Sequence, residues 1–253
     1  TRRSSDLVEL LSQIHRINQA DPPLVHEGEI LKVISSMKNN KAADLQGISA
    51  EHLKHANEQI ITPLTDIIND IQCSGTVPGM FKMGVVTPIL KKGKLMHAPD
   101  SYRRITVTSI PNKVLEKVVL PSIDIPMVSK QSRMQRGFTN GSSSGNAALI
   151  YTEILAEAAD SKKSIYTAML DASKAFDVVV HNNLLMALHN HGLNSNHWLL
   201  TKDWYTDMSS QIKWKGQLSR TITERIGLRQ GGGLSAGQYK TYTNRFLTAQ
   251  EEA

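Results

Sequence analysis

Leu170-Asp171-Ala172-Ser173-Lys174-Ala175-Phe176-Asp177 follows directly on Ile165-Tyr166-Thr167-Ala168-Met169, and the two stretches together decide how the chain is read. The apolar run Ile165–Leu170, bounded upstream by the polar Ser161-Lys162-Lys163, predicts a strand. Asp171 then stands at the C-terminal end of that strand, at the open edge of a sheet. Hard divalent cations such as Mg²⁺ take oxygen ligands of this kind while keeping some of their water. A turn or helix-cap aspartate has the same local signature, so by itself this stretch leaves both roles open.

Toward the C-terminus the pattern continues with helices. His181–His191 is predicted helical and ended by Gly192, and Asn196–Asp207 is predicted helical as well. Gln211–Lys215 and Thr221–Arg225 read as a hairpin, after which Gly231-Gly232-Gly233 precedes a last helix from about Ser235. Toward the N-terminus, Asn146–Asp160 is an Ala-rich helix and Asn112–Leu120 a shorter one. Met83–Leu90 and Arg103–Ser109 are extended runs joined by a polar connection, a second hairpin in which Pro88 argues for an edge strand. Four helices come before it. Asp6–Gln19 carries a stripe of Leu7, Leu10, Leu11, Ile14 and Ile17, and Glu27–Lys38 one of Ile30, Leu31, Ile34 and Met37. A third is capped by Ser49, and a fourth by Thr62, with Pro63 at its first position and Leu64, Ile67, Ile68 and Ile71 as its stripe. Helices alternate with hairpins, so the fold class is α+β.

Charge narrows the function. The 253 residues hold 29 Lys and Arg against 23 Asp and Glu, a net +6. Between Lys82 and Arg136 eleven basic residues face only Asp100, Glu116 and Asp124, so the excess is local. Such a stretch suits a phosphate-rich partner, and it equally suits a solvated lysine-rich face. The single cysteine, Cys73, excludes an internal disulfide and a Cys-cluster zinc site, and it reads as a small buried residue in a reducing compartment. No apolar run reaches the roughly 18 residues of a membrane span. The start, Thr1-Arg2-Arg3, reads as a cut or mature end, and the expected location is intracellular, with nucleus and cytoplasm not distinguished.

Three local motifs point elsewhere and carry little. Gly141-Ser142-Ser143-Ser144-Gly145 spells the nucleophile elbow of serine hydrolases, with Asp171 and His189 following in triad order. The elbow needs a buried strand before it, and the residues here are polar, so Ser143 is better read as the loop capping the next helix. Gly231-x-Gly233-x-x-Ala236 matches a dinucleotide fingerprint but does not follow a buried strand. The histidines His52, His55, His181, His189, His191 and His197 are scattered, without zinc-ligand spacing.

In order along the chain, a further set of motifs resembles the reverse transcriptase domain of non-LTR (LINE-class) retrotransposons. Lys41-Ala42-Ala43-Asp44-Leu45-Gln46-Gly47-Ile48 is similar to that family's Lys-Ala-Pro-Gly-Pro-Asp-Gly-Ile. Val85–Gly93 is similar to its first fingers motif, and Ser101-Tyr102-Arg103-Arg104-Ile105-Thr106 to its Asn-Tyr-Arg-Pro-Ile-Ser. The Lys113/Glu116 helix and Gln135-Arg136-Gly137-Phe138 follow, then Leu170–Asp177 as motif A and Gly227–Ser235 as motif B. The resemblance implies right-hand polymerase fingers plus an incomplete palm, with helices packed on a small antiparallel sheet. It divides the chain into an N-terminal extension at 1–25, fingers at 26–160 and partial palm at 161–253, without a thumb.

The resemblance also implies roles. Asp171 would be the catalytic metal-binding carboxylate, with the backbone carbonyl of Ala172 as a second Mg²⁺ ligand. Lys91, Lys92 and Arg103 would hold the triphosphate of a dNTP, Phe176 would lie under its sugar, and Gln230 and Gly231 would shape the nucleotide pocket. RNA template and DNA primer are the implied partners. Several positions depart from the pattern: Ala43-Asp44 replaces Pro-Gly, Arg104 and Ala236 each replace proline, and no Asp-Asp dipeptide occurs. The second catalytic carboxylate motif is therefore lacking, so the stretch as given is expected not to polymerise. It is also expected to leave an open sheet edge at Ile165–Leu170. A non-catalytic nucleic-acid-binding remnant is the alternative, and a serine esterase a distant one.

Overall fold

The computed structural model describes residues 2–56 and 58–251. It opens with α1 (Arg2–Ile17), α2 (Glu27–Ser36), α3 (Ala50–His55), α4 (Ile61–Ser74) and the single turn α5 (Gly79–Lys82). The strands β1 (Met83–Leu90) and β2 (Tyr102–Thr108) come next, followed by α6 (Ile110–Ser129), α7 (Ser144–Asp160), α8 (His181–Asn190) and α9 (Ser195–Tyr205). The chain closes with β3 (Ser209–Trp214), β4 (Gln217–Leu218), β5 (Ile222–Thr223) and α10 (Ser235–Glu251).

The α+β class holds, but the expected antiparallel sheet is mixed. β1 and β2 form the predicted hairpin, with Pro88 opposite Arg104. Val85 and Val86 of β1 pair in parallel with Gln211 and Ile212 of β3, so the sheet order is β2-β1-β3-β4, with β5 on β3. β1 is thus not an edge strand along its first half. Pro88 is tolerated because the pairing with β3 stops at Val86, and a proline beyond it interrupts no ladder on that side. Lys215 and Gly216, both at positive φ, close β3 onto β4 as a two-residue turn whose twist matches that of the strands. The main core is helix on helix rather than helix on sheet. Ile30, Ile68, Leu115, Leu184 and Trp198 sit in one cluster to which α2, α4, α6, α8 and α9 contribute.

Several local expectations fail where packing overrules them. On α1 the buried residues are Val8, Leu11, Ser12 and His15, while Leu7, Leu10, Ile14 and Ile17 face outward. His15 decides the rotation. Its ring stacks on Trp198 at 4.4 Å and meets Ser195 Oγ and His189 Nδ1, each at 3.0 Å. Leu31 and Ile67 are exposed although they lie beside buried stripes on α2 and α4. Thr62 does not cap α4, which begins at Ile61; its hydroxyl donates to Glu27 instead, at 2.6 Å. Cys73 is exposed, not buried. α6 runs through Pro121 to Ser129 instead of stopping at Leu120, because Val119, Ile123 and Met127 lie on one face in the core. Ser143 Oγ accepts the Asn146 amide at 3.2 Å as the cap of α7, and the chain enters it from α6 and a loop rather than from a strand, so the hydrolase elbow is not formed. His189, hydrogen-bonded to His15, is not held by Asp171.

The largest correction concerns Ile165–Leu170. It has no regular secondary structure and joins no strand among the described residues, and Tyr166, Met169 and Leu170 are 97%, 82% and 80% exposed. α7, which precedes it, buries none of its residues. A strand-like run becomes a strand only through a partner's backbone hydrogen bonds, and among the described residues none reaches it.

Candidate nucleotide-binding site

Motif B is stitched between two other segments. On one side the Leu228 amide donates to Phe176 O at 2.8 Å and the Gly227 amide to Val179 O at 2.7 Å. On the other side the Thr106 amide of β2 donates to Gln230 O at 2.8 Å. Gly231 at φ +113° passes so close to β2 that a Cβ would lie 2.9 Å from Thr106 O, which makes glycine obligatory there. Residues 227–231 therefore tie the segment around Asp177 to the β1–β2 hairpin.

Two buried charges fix this loop from beneath. Arg229 Nε lies 3.0 Å from Glu224 Oε2, and its Nη2 donates to the carbonyls of Lys82 and Ser209, where β1 and β3 begin. Glu116 of α6 accepts the Gly233 amide at 2.6 Å and the Asn112 side-chain amide at 3.2 Å. Burial pushes the Glu116 carboxyl above its ordinary range, and these hydrogen bonds oppose the shift. Burial of His181 likewise lowers its proton affinity, while its Nε2 meets Gly227 O at 2.8 Å.

Between the hairpin and motif A lies a cavity of about 370 Å³, lined by Lys91, Arg103, Asp171, Ala172 and Gln230 among others. Five of the predicted site residues thus meet in one place although they come from three distant segments. The remaining three lie outside its lining. Lys92 is exposed in the loop beyond β1. Gly231 turns toward β2, and Phe176 packs into an aromatic group, stacked on Tyr239 at 4.8 Å and edge-on to Phe138 at 5.9 Å. Phe138 belongs to the Gln135–Phe138 motif and Tyr239 to the helix after motif B, so Phe176 is where these motifs meet.

Residues 89–253 match the family described as reverse transcriptase (RNA-dependent DNA polymerase). The chain belongs to that family. It is 27% identical over 241 residues to a probable RNA-directed DNA polymerase from transposon X-element of Drosophila melanogaster, covering 93% of this chain and 26% of that protein. It is 25% identical over 217 residues to a probable RNA-directed DNA polymerase from transposon BS of the same species, covering 85% of this chain and 24% of the relative. With the RNA-directed DNA polymerase from mobile element jockey of Drosophila funebris it shares 24% over 229 residues, 88% of this chain and 24% of the relative. The chain spans about a quarter of the length of these curated relatives. It is a reverse transcriptase domain homologous to the RNA-directed DNA polymerases of Drosophila non-LTR retrotransposons.

Reverse transcriptases generally use divalent metal ions. Among the described residues no group of three or more His, Cys, Asp or Glu side chains is placed to hold a metal ion. The other two carboxylates lining the cavity are engaged by cations, Asp177 by Arg104 and Asp100 by Lys174. By itself the sequence assigns Arg229 no role, and Glu116 stands out only by its family position. A charged side chain within a glycine-rich motif was the available signal, and burial alone turns it into an anchor. No helix of the described residues is long and apolar enough to cross a membrane.

Proposed function

We propose that this chain is the nucleotide-engaging part of an RNA-directed DNA polymerase, with fingers at 26–160 and partial palm at 161–253. The convergence of Lys91, Arg103, Asp171 and Gln230 on one cavity carries this reading. Arg103 and Lys91 supply donors and positive charge for phosphate oxygens, and an arginine fork meets two of them at once. Lys92 lies farther out and adds to the basic field that draws in template and primer. Gln230, held by its backbone to β2, presents its side chain to the nucleotide, and Phe176, outside the lining, braces motif A against Phe138 and Tyr239. Asp171 and the Ala172 carbonyl are the groups on this chain that would hold Mg²⁺, which would neutralise phosphate charge there. A single carboxylate and a carbonyl are too few for two metals, so the 253 residues alone bind nucleotide and do not transfer it.

The test is equilibrium binding of a dNTP to the full chain, alongside primer extension. Arg103→Ala and Lys91→Ala are expected to weaken dNTP binding about tenfold each, the loss of one charge-assisted contact. No extension is expected from the wild-type chain. Unchanged affinity in both variants would remove the site, and extension abolished by Asp171→Ala would overturn the assignment of incomplete catalysis.

A further inference from the structure

Arg104 stands where the resembled family has proline, and Asp177 and Lys174 are motif residues to which the reading above gives no task. The structure joins them. Arg104 Nη2 of β2 lies 2.7 Å from Asp177 Oδ1, and Lys174 Nζ lies 2.9 Å from Asp100 Oδ1. The first pair runs from a cation on the hairpin side to the acid that ends motif A. The second runs the other way, from a cation in motif A to an acid in the β1–β2 connection. All four residues line the cavity that holds Asp171 and Arg103. Arg104 and Asp177 also line a neighbouring cavity of about 250 Å³ on the motif B side, so their ion pair belongs to the walls of both.

The cations of the cavity are mostly occupied. Lys91 Nζ donates to the Asp100 carbonyl at 2.8 Å, Lys174 holds the Asp100 carboxylate and Arg104 holds Asp177. Arg103 makes no ion pair among the described residues. We propose that Arg104–Asp177 and Lys174–Asp100 form an electrostatic clasp that draws motif A onto the hairpin in the ligand-free chain. Entry of a polyphosphate exchanges the partners, so that Arg104 and Lys174 become phosphate contacts beside Arg103. The inference rests on the nucleotide reading of this cavity and adds to it two phosphate ligands and a built-in competitor for each.

The chemistry favours exchange. Arg104 and Lys174 are more than half exposed, so each pair is worth little in water, and a tripolyphosphate carries several charges against one per carboxylate. No bond is made or broken. The acids return to solvent as the phosphate oxygens take their places.

The test is titration of the full chain with inorganic tripolyphosphate at low ionic strength without metal. Asp177→Asn and Asp100→Asn are each expected to tighten binding about two- to five-fold, the worth of an exposed ion pair. Arg104→Gln is expected to weaken it several-fold, and Asp177→Asn is expected to have no effect once Arg104 is glutamine. If Asp177→Asn fails to tighten binding, or does so equally in the Arg104→Gln background, the clasp is wrong and the acid acts only through its general field. Asp100, on an exposed turn, is the check should Asp177→Asn fold poorly: no tightening in Asp100→Asn likewise overturns the clasp. The underlying site fails separately, if tripolyphosphate binds the wild type and Arg103→Ala alike. If the wild type binds too weakly to measure, the Asp100→Asn/Asp177→Asn variant must bind, and silence there rejects the proposal.

Discussion

Replacing Arg229 by methionine tests whether motif B is anchored by a buried charge or offers that charge to a ligand. The side chain is 7% exposed and its partner Glu224 20% exposed. The substitution removes the ion pair and both donations to the Lys82 and Ser209 carbonyls, leaving two acceptors and a carboxylate without their donor. Removing one member of a buried pair costs about 3–5 kcal/mol. Two features place Arg229→Met at the lower end. Glu224 retains some access to water, and Arg229 Nη1 has no hydrogen-bond partner to lose. The expected cost is about 3 kcal/mol, a large share of the roughly 5–15 kcal/mol that holds a domain folded. In urea, with a slope of about 3 kcal/mol/M, the midpoint falls by about 1 M. The assay is urea unfolding followed by circular dichroism and tryptophan fluorescence, with Arg103→Met as the reference. Arg103 is exposed and makes no ion pair among the described residues, so its loss is expected to shift stability by less than about 0.5 kcal/mol. A guanidinium reserved for a ligand would give the opposite ranking, with dNTP affinity lost and the urea midpoint unmoved. A cost below about 1 kcal/mol for Arg229→Met would refute the anchor.

Gly231→Ala is expected to destabilise by about 1–3 kcal/mol and to weaken dNTP binding, since its Cβ would press on Thr106 O. Gly93→Ala, at φ +76° with open space around it, should cost only about 1 kcal/mol and serves as the control in the same melts. On α1, Leu11→Ala should cost about 2 kcal/mol and Leu10→Glu less than about 0.5 in urea unfolding, and equal costs would mean the helix is rotated from the arrangement described. Acidification should also loosen this region. Burial lowers the proton affinity of His15, His181 and His197, and His189 adds to the effect on His15. The unfolded chain then binds more protons than the folded one below the ordinary value of 6.5. The stability these groups contribute is complete above that value and is lost as pH falls through it. The melting temperature should drop between about pH 7.5 and 5.5, and His15→Gln, His181→Gln and His197→Gln should each flatten the slope; an unchanged slope in all three would count against burial as the cause.

What the sequence determined by itself was whatever depends on neighbours in the chain or on an ordered set of motifs. The span of β1, the Ser49 and Ser143 caps and the C-terminal helix from Ser235 follow from residues a few positions apart, because dihedral preferences and capping hydrogen bonds are local. The motif order singled out Lys91, Arg103, Asp171, Ala172 and Gln230, which the fold brings to one cavity. Only the tertiary structure decided the rest. The outward turn of Leu10 and Ile14 depends on Trp198 being where His15 can stack on it. The parallel pairing of β1 with β3 joins segments more than a hundred residues apart, and nothing in Val85-Val86 specifies a partner. Ile165–Leu170 has the composition of a strand, yet strand hydrogen bonds need a second chain segment, and the described residues offer none. Arg104 gives the clearest contrast. In the sequence it is a departure from a proline, whereas in the fold its guanidinium lies against Asp177, 73 positions away, because motif B ties both segments together. Charge at a position is written in the sequence; what that charge faces is set by distance in space.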